Sequence, residues 1–324
     1  MHILHIGRHK TGTSSLQHFL AANLASLASA GYVYPRAMRP QVAHHELAYL
    51  CNERLYGRLP SGEQQRLLEE LDRLQEEVAG DTGFLLSSEA FQNVRPSQVA
   101  RYLGTDLMIV VYIREQFQYL LSSYAQVVQN QKLTHSIEEY EQRTFRADYA
   151  RFLDSWAGVF GQDRVQVRVF ERAGLAQGDI RHDFIQTIGL GHLLPAMDFD
   201  QRRHNTSIGG ALLDFKRRLN ATAFEPLIPP PRLYSLLERT ARRCPELVAP
   251  TERFDALALA VRERYRESNE VARARFFPQR PVLFALPDSP LPAARPAMAD
   301  VAEAIDQTHG SDLGHRLLAL LEAS

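Results

Sequence analysis

The sequence predicts an α/β fold, a parallel sheet flanked by helices, with a largely helical C-terminal half. Two observations predict it. Short apolar runs alternate with runs of helical period as far as residue 190, and a turn carrying two glycines, GRHKTGTSS at 7–15, joins the first run of each kind. Strands separated by helices need crossover connections, which are right-handed and build parallel sheets.

The first strand is His2 to Ile6. Ser14 to Ala30 then carries Leu16, Phe19, Leu20, Leu24 and Leu27 at the spacing of one buried helical stripe, closed by Gly31 as a C-cap. A polar helix over Glu63 to Val78 leads to the second strand, GFLLS at 83–87. LMIVVYI at 107–113 is continuous in apolar residues, as a central strand covered on both faces requires. Gln116 to Gln129 is helical, with Phe117, Leu120, Leu121, Tyr124, Val127 and Val128 on one face. A helix around Tyr149 to Phe160 precedes the fourth strand, VQVRVF at 165–170. Further helices are expected at Asp179 to Ile188, Gly209 to Asn220, Arg232 to Arg243 and Glu252 to Phe276, with Pro229, Pro230 and Pro231 as an interruption. Residues 278–296 are proline-rich and turn-like, and Met298 to Leu321 forms one or two terminal helices. The expected division is one α/β domain with helical extensions over 1–280, then a Pro-rich linker and helical tail over 281–324.

The chain has 324 residues, 45% of them hydrophobic and 23% charged, an ordinary globular composition. A net charge of -1 argues against a general nucleic-acid binder, which needs a basic excess to displace counterions. Two cysteines, Cys51 and Cys244, cannot build a disulfide framework or a CxxC zinc site. No leader and no run of spanning length is legible, so a cytoplasmic location is expected, with association at a membrane surface left open.

The glycine turn has the makings of a phosphate cradle. In the usual triphosphate loop, GxxxxGK[ST], lysine follows the second glycine and reaches the outer phosphates beside magnesium. Here Gly7 and Gly12 keep the glycine spacing, Thr13 fills the lysine position, and Lys10 stands two residues before Gly12. Backbone N–H groups at the start of the following helix still suit an anion. No aspartate ends a neighbouring apolar strand to hold a metal: LMIVVYI ends in Arg114, and GFLLS runs into Ser88 and Glu89. The arrangement is therefore P-loop-like, with no metal expected.

Ligands of such sheets sit outside the carboxyl ends of the strands, which places Arg114 at the same crevice as Lys10. Its planar fork can grip a second phosphate, and Ser122, eight residues on and off the apolar stripe, can add a hydrogen bond. The plain alternative is an Arg114 paired with a carboxylate and a surface Ser122. KTGTSS after a first strand, with an arginine and a serine eight apart, resembles the sulfotransferases that use 3'-phosphoadenosine 5'-phosphosulfate (PAPS), whose loop reads KxGTT. FGQDRVQVRVFER, GDIRHDFIQTIGL, HNTSIGGALLDFKRRLN and YRESNEVARARFF also resemble stretches of the bacterial carbohydrate-modifying type, so the likeness covers about residues 1–280. It departs at Ser14 and Ser15, where a threonine often follows.

The resemblance implies transfer of a sulfuryl group from PAPS to an acceptor hydroxyl on a carbohydrate or glycoconjugate. The residues implied at the cofactor are Arg8, His9, Lys10, Thr11, Gly12, Thr13, Ser14, Ser15, Arg114, Ser122 and Asn205, with Lys10 balancing charge on the leaving phosphate. Transfer needs a base for the incoming hydroxyl. Glu89, at the end of the second strand, is one candidate, and it could instead cap a helix beginning near Phe91. His44 and His45 compete, and adjacent positions on a helix let at most one of them, His45 in the chosen assignment, enter the site. Arg202 and Arg203 could reach the nucleotide or an anionic acceptor, while Thr206 or Ser207 could cap the helix that follows. Two other functions stay open: a magnesium-dependent P-loop kinase of a small molecule, with Glu89 on the metal, and a catalytically silent nucleotide-binding protein.

Overall fold

Five strands, β1 (His2–His5), β2 (Tyr32–Val33), β3 (Gly83–Ser87), β4 (Leu107–Ile113) and β5 (Val165–Val169), form one sheet in the order β2-β3-β1-β4-β5. Every neighbouring pair is parallel, with His5 level with Ser87 on one side and Val110 on the other. The computed structural model describes residues 1–8, 10–78, 82–199, 208–251, 254–285 and 294–323. Side chains alternate across the sheet as a period of two demands. Leu4, Leu86, Ile109 and Val111 join a core with Phe91, Tyr149 and Trp156, while Ile3, Leu85, Val110 and Tyr112 join another with Leu16, Phe19 and Phe184. The chain is thus α/β, as the alternating runs foretold.

The chain divides into two compact units. The first holds residues 1–115, 148–203 and 266–285 and contains the whole sheet. The second holds 116–147, 204–265 and 286–324 and is helical among its described residues. Its main core joins Leu212, Phe215, Leu236 and Leu237 to Val301, Ile305 and Leu317. This grouping departs from the expected boundary at 280. Leu283 and Phe284 are buried in the core of the first unit, and the C-terminal helices Met298–His309 and Leu313–Glu322 share the core of the second rather than trailing as a tail. Among the described residues no helix is long and apolar enough to cross a membrane.

Three local expectations change. Ser14 to Ala30 is two helices, Thr13–Ala22 and Leu24–Ser29, parted at Asn23. The Asn23 amide donates to Phe19 O at 2.9 Å and to Asp198 O at 3.0 Å, and its oxygen accepts from Asp198 N at 2.7 Å. A side chain bonded to its own backbone and to a distant segment competes with helix continuation. The proline triplet starts a helix instead of interrupting one: Pro229 caps Pro230–Arg243, where the missing N–H groups are orphans in any case. Strand β2 has only two residues, too few to show a period.

Candidate functional site

Because β1, β3 and β4 are parallel neighbours, the segments leaving them emerge at one edge of the sheet. After β1 comes the glycine loop, after β3 Ser88 and Glu89, and after β4 Arg114. Ser88 N donates to His5 O at 3.0 Å, which fixes the start of the β3 exit against the end of β1.

The loop is tightly folded. Lys10 holds φ 65° and Gly12 φ 74°, both left-handed. For a lysine that conformation costs roughly 1 kcal/mol, so the loop retains it against local preference. A Cβ on Gly7 would stand 2.4 Å from Thr13 Cγ2 and 3.1 Å from His5 Nε2, so only glycine fits. Thr11 closes the turn by donating its hydroxyl to Arg8 O at 2.7 Å. Gly12 is the N-cap of Thr13–Ala22, a ten-residue helix with no side-chain cap and no acid in its first turn. The first N–H groups of that helix therefore suit an anion.

The expected cradle residues are placed unevenly. Thr11 and Thr13 are buried, whereas Ser14 and Ser15 are half-buried on the first turn of the helix. The Arg8 side chain is buried, its guanidinium 5.3 Å from the Tyr149 ring centroid and 4.9 Å from that of Phe152. Arg114 donates from Nη1 to Lys10 O at 3.3 Å, so its fork reaches the loop as its position at the end of β4 suggests. Burial draws the Arg114 pKa below its ordinary value. Ser122 belongs to the second unit, on the helix Gln116–Asn130, where its hydroxyl donates to Gln118 O at 2.9 Å and Tyr119 O at 3.1 Å. His9, Arg202, Arg203, Asn205, Thr206 and Ser207 lie outside the described residues.

At the exit of β3, Glu89 and His45 come together. His45 Nδ1 lies 2.7 Å from Ser88 Oγ, and His45 Nε2 lies 3.9 Å from Glu89 Oε1. Glu89 Oε2 accepts from Gln17 Nε2 at 2.9 Å. Glu89 opens the short turn Glu89–Asn93, but its cap is Ser88, whose hydroxyl accepts from Ala90 N. His44 is not a partner in this group: it is buried, with Nδ1 accepting from Ser87 N and Nε2 on Pro35 O, both at 3.2 Å. Burial pushes its pKa down to about 3, so it is neutral and structural near pH 7.

Two residues of this neighbourhood escaped the sequence reading. Gln17 lies one turn after Thr13 and off the stripe of Leu16, Phe19 and Leu20, so the apolar period gives no sign that it is buried. His5, in β1, is fully buried with Nδ1 2.8 Å from Ser87 Oγ, and burial pushes its pKa down to about 4. Among the described residues no group of three or more His, Cys, Asp or Glu is arranged to hold a metal ion.

No protein-family model matches the chain. A curated relative from Archaeoglobus fulgidus, described as an uncharacterized protein, is 30% identical over 110 residues, which are 33% of this chain. The match spans 30% of that relative's length. Among solved structures, a sulfotransferase from Alicyclobacillus acidocaldarius is 19% identical with a TM-score of 0.43, over 73% of this chain and 95% of that one.

Proposed function

We propose that the chain is a sulfotransferase that moves a sulfuryl group from PAPS to the hydroxyl of an acceptor. One observation carries the reading: the glycine loop with Lys10 and Glu89, with His45 beside it, lie at the exits of adjacent parallel strands, and Arg114 leaves the strand on the other side of the loop. An anion site and a base on neighbouring exits suit an in-line transfer between them.

The residues fit the donor. The N-terminus of Thr13–Ala22, uncapped by side chains, with Thr11, Gly12, Thr13, Ser14 and Ser15 around it, suits the 5'-phosphate. Arg114 and Ser122 would hold the 3'-phosphate, His9 would contact the phosphosulfate from within the loop, and Asn205 is a further proposed contact of the donor. Bound there, PAPS supplies a sulfuryl group already joined to a phosphate leaving group. Glu89 takes the proton from the acceptor hydroxyl, whose oxygen forms the new bond to sulfur as the bond from sulfur to the phosphate oxygen breaks. Lys10 neutralises the charge left on that phosphate oxygen. His45, beside Glu89, is the alternative acceptor of the proton. We take the acceptor to be a carbohydrate or glycoconjugate hydroxyl and the site of action to be the cytoplasm.

The test is transfer of label from sulfur-35 PAPS to acceptors in a glycan extract, with products identified by mass spectrometry. Labelled product that disappears with Lys10→Ala is the expected result. An inactive protein that nevertheless transfers phosphate from magnesium ATP would replace this reading with the kinase.

A further inference from the structure

Gln17 is 2% exposed, on a helix whose other buried residues include Leu16, Phe19 and Leu20, at a point where an apolar residue would be buried without needing a partner. Burying an amide costs free energy unless it is hydrogen-bonded, so a glutamine at this point calls for a specific partner. That partner is Glu89: Gln17 Nε2 donates to Oε2 at 2.9 Å. The two oxygens of the carboxylate thus have different surroundings, Oε2 on the Gln17 amide and Oε1 on the His45 side. Gln17 also lies one helical turn beyond Thr13, about 6 Å along the helix from the first residue after the cradle.

We infer that Gln17 is a positioning residue for the transfer reaction: its side-chain amide holds the Glu89 carboxylate at a fixed distance from the phosphate cradle. This rests on the role proposed for Glu89. The helix whose N-terminus receives the donor's phosphate is then the helix that aims the base, and donor and acceptor sides are registered through one rigid element. The amide also favours the ionised carboxylate, the form able to accept a proton.

Other titratable groups interact with Glu89, among them three in the first unit. His45 lies on the helix His45–Leu50, His5 on β1, and Tyr34 just after β2. Each is present in every variant below, so a change in the titration of Glu89 reports on Gln17.

The experiment uses full-length protein labelled with carboxyl-13C glutamate, the Glu89 resonance being assigned by its loss in Glu89→Gln. Gln17→Met removes the donor at similar length and should raise the midpoint of the Glu89 titration. Gln17→Glu should raise it further, because two carboxylates at hydrogen-bond distance resist joint ionisation. A tenfold gain in proton affinity, about one pH unit, is the expected size. In the wild type, the Gln17 side-chain amide signals should move with the same midpoint as Glu89, and that reading stands even if a variant does not fold. Gln17 signals indifferent to the Glu89 titration, or an unchanged midpoint in folded variants, would overturn the inference. Failure to bind adenosine 3',5'-bisphosphate would instead remove the proposed function and leave the coupling between Gln17 and Glu89 as measured.

Discussion

Tyr149 clasps Arg114 by its backbone: its phenol donates to Arg114 O at 2.5 Å, and the phenolic oxygen accepts from Arg114 N at 3.3 Å. Tyr149 is fully buried at the start of Tyr149–Phe160, against Phe284 and beneath the Arg8 guanidinium. Arg114 in turn reaches Lys10 O, so the phenol steadies the loop through one intermediate. Tyr149→Phe keeps the ring and removes both bonds. It should cost about 1–3 kcal/mol of stability, since two backbone groups lose a partner, and weaken binding of adenosine 3',5'-bisphosphate several-fold. Thermal unfolding and titration calorimetry on the same variant measure the two effects.

Lys10→Ala should lower the transfer rate by a factor on the order of 100 or more, the usual loss when one group stabilising developing charge is removed. The backbone cradle remains, so binding of the bisphosphate should fall far less than turnover. Single-turnover transfer beside equilibrium binding checks this split, and equal losses would make Lys10 an ordinary binding residue.

Glu89→Gln keeps a side chain that can hydrogen-bond to Gln17 yet cannot take a proton. Bisphosphate binding should be unchanged while transfer falls by 100-fold or more. Should His45 be the base, His45→Gln would give the larger loss, and the two variants measured side by side decide between them.

Stability should fall in mild acid. His5 and His44 are buried and held neutral, with pKa values pushed down to about 4 and about 3 against an ordinary 6.5. The unfolded chain binds protons at these imidazoles below pH 6.5, whereas the folded chain does not until pH 4 or lower. Their contribution is complete above pH 6.5 and is lost as pH falls from there, toward 4 for His5 and toward 3 for His44, on the order of 3 kcal/mol for His5 and about 5 kcal/mol for His44. Urea unfolding at intervals across that window measures the slope, which His44→Gln should reduce.

Four of the five strands were legible because runs such as LMIVVYI can only be covered on both faces. β2 was not, because two residues pairing Tyr32 with Gly83 hold no pattern of their own. The break at Asn23 depends on Asp198, a partner 175 residues away that no local reading contains. Within the candidate site, Lys10, Gly12, Arg114 and Glu89 were picked out by their positions at strand exits, a rule of topology. That at most one of His44 and His45 could enter the site was legible from their adjacent places on a helix, but the partners each one faces were not: backbone for His44, Ser88 and Glu89 for His45.

Titration calorimetry with adenosine 3',5'-bisphosphate, in buffer containing EDTA, tests the central claim most directly. The account predicts saturable binding without magnesium, weakened by Arg114→Ala and by Lys10→Ala. No heat with the bisphosphate, together with binding of ATP only when magnesium is added, would contradict it.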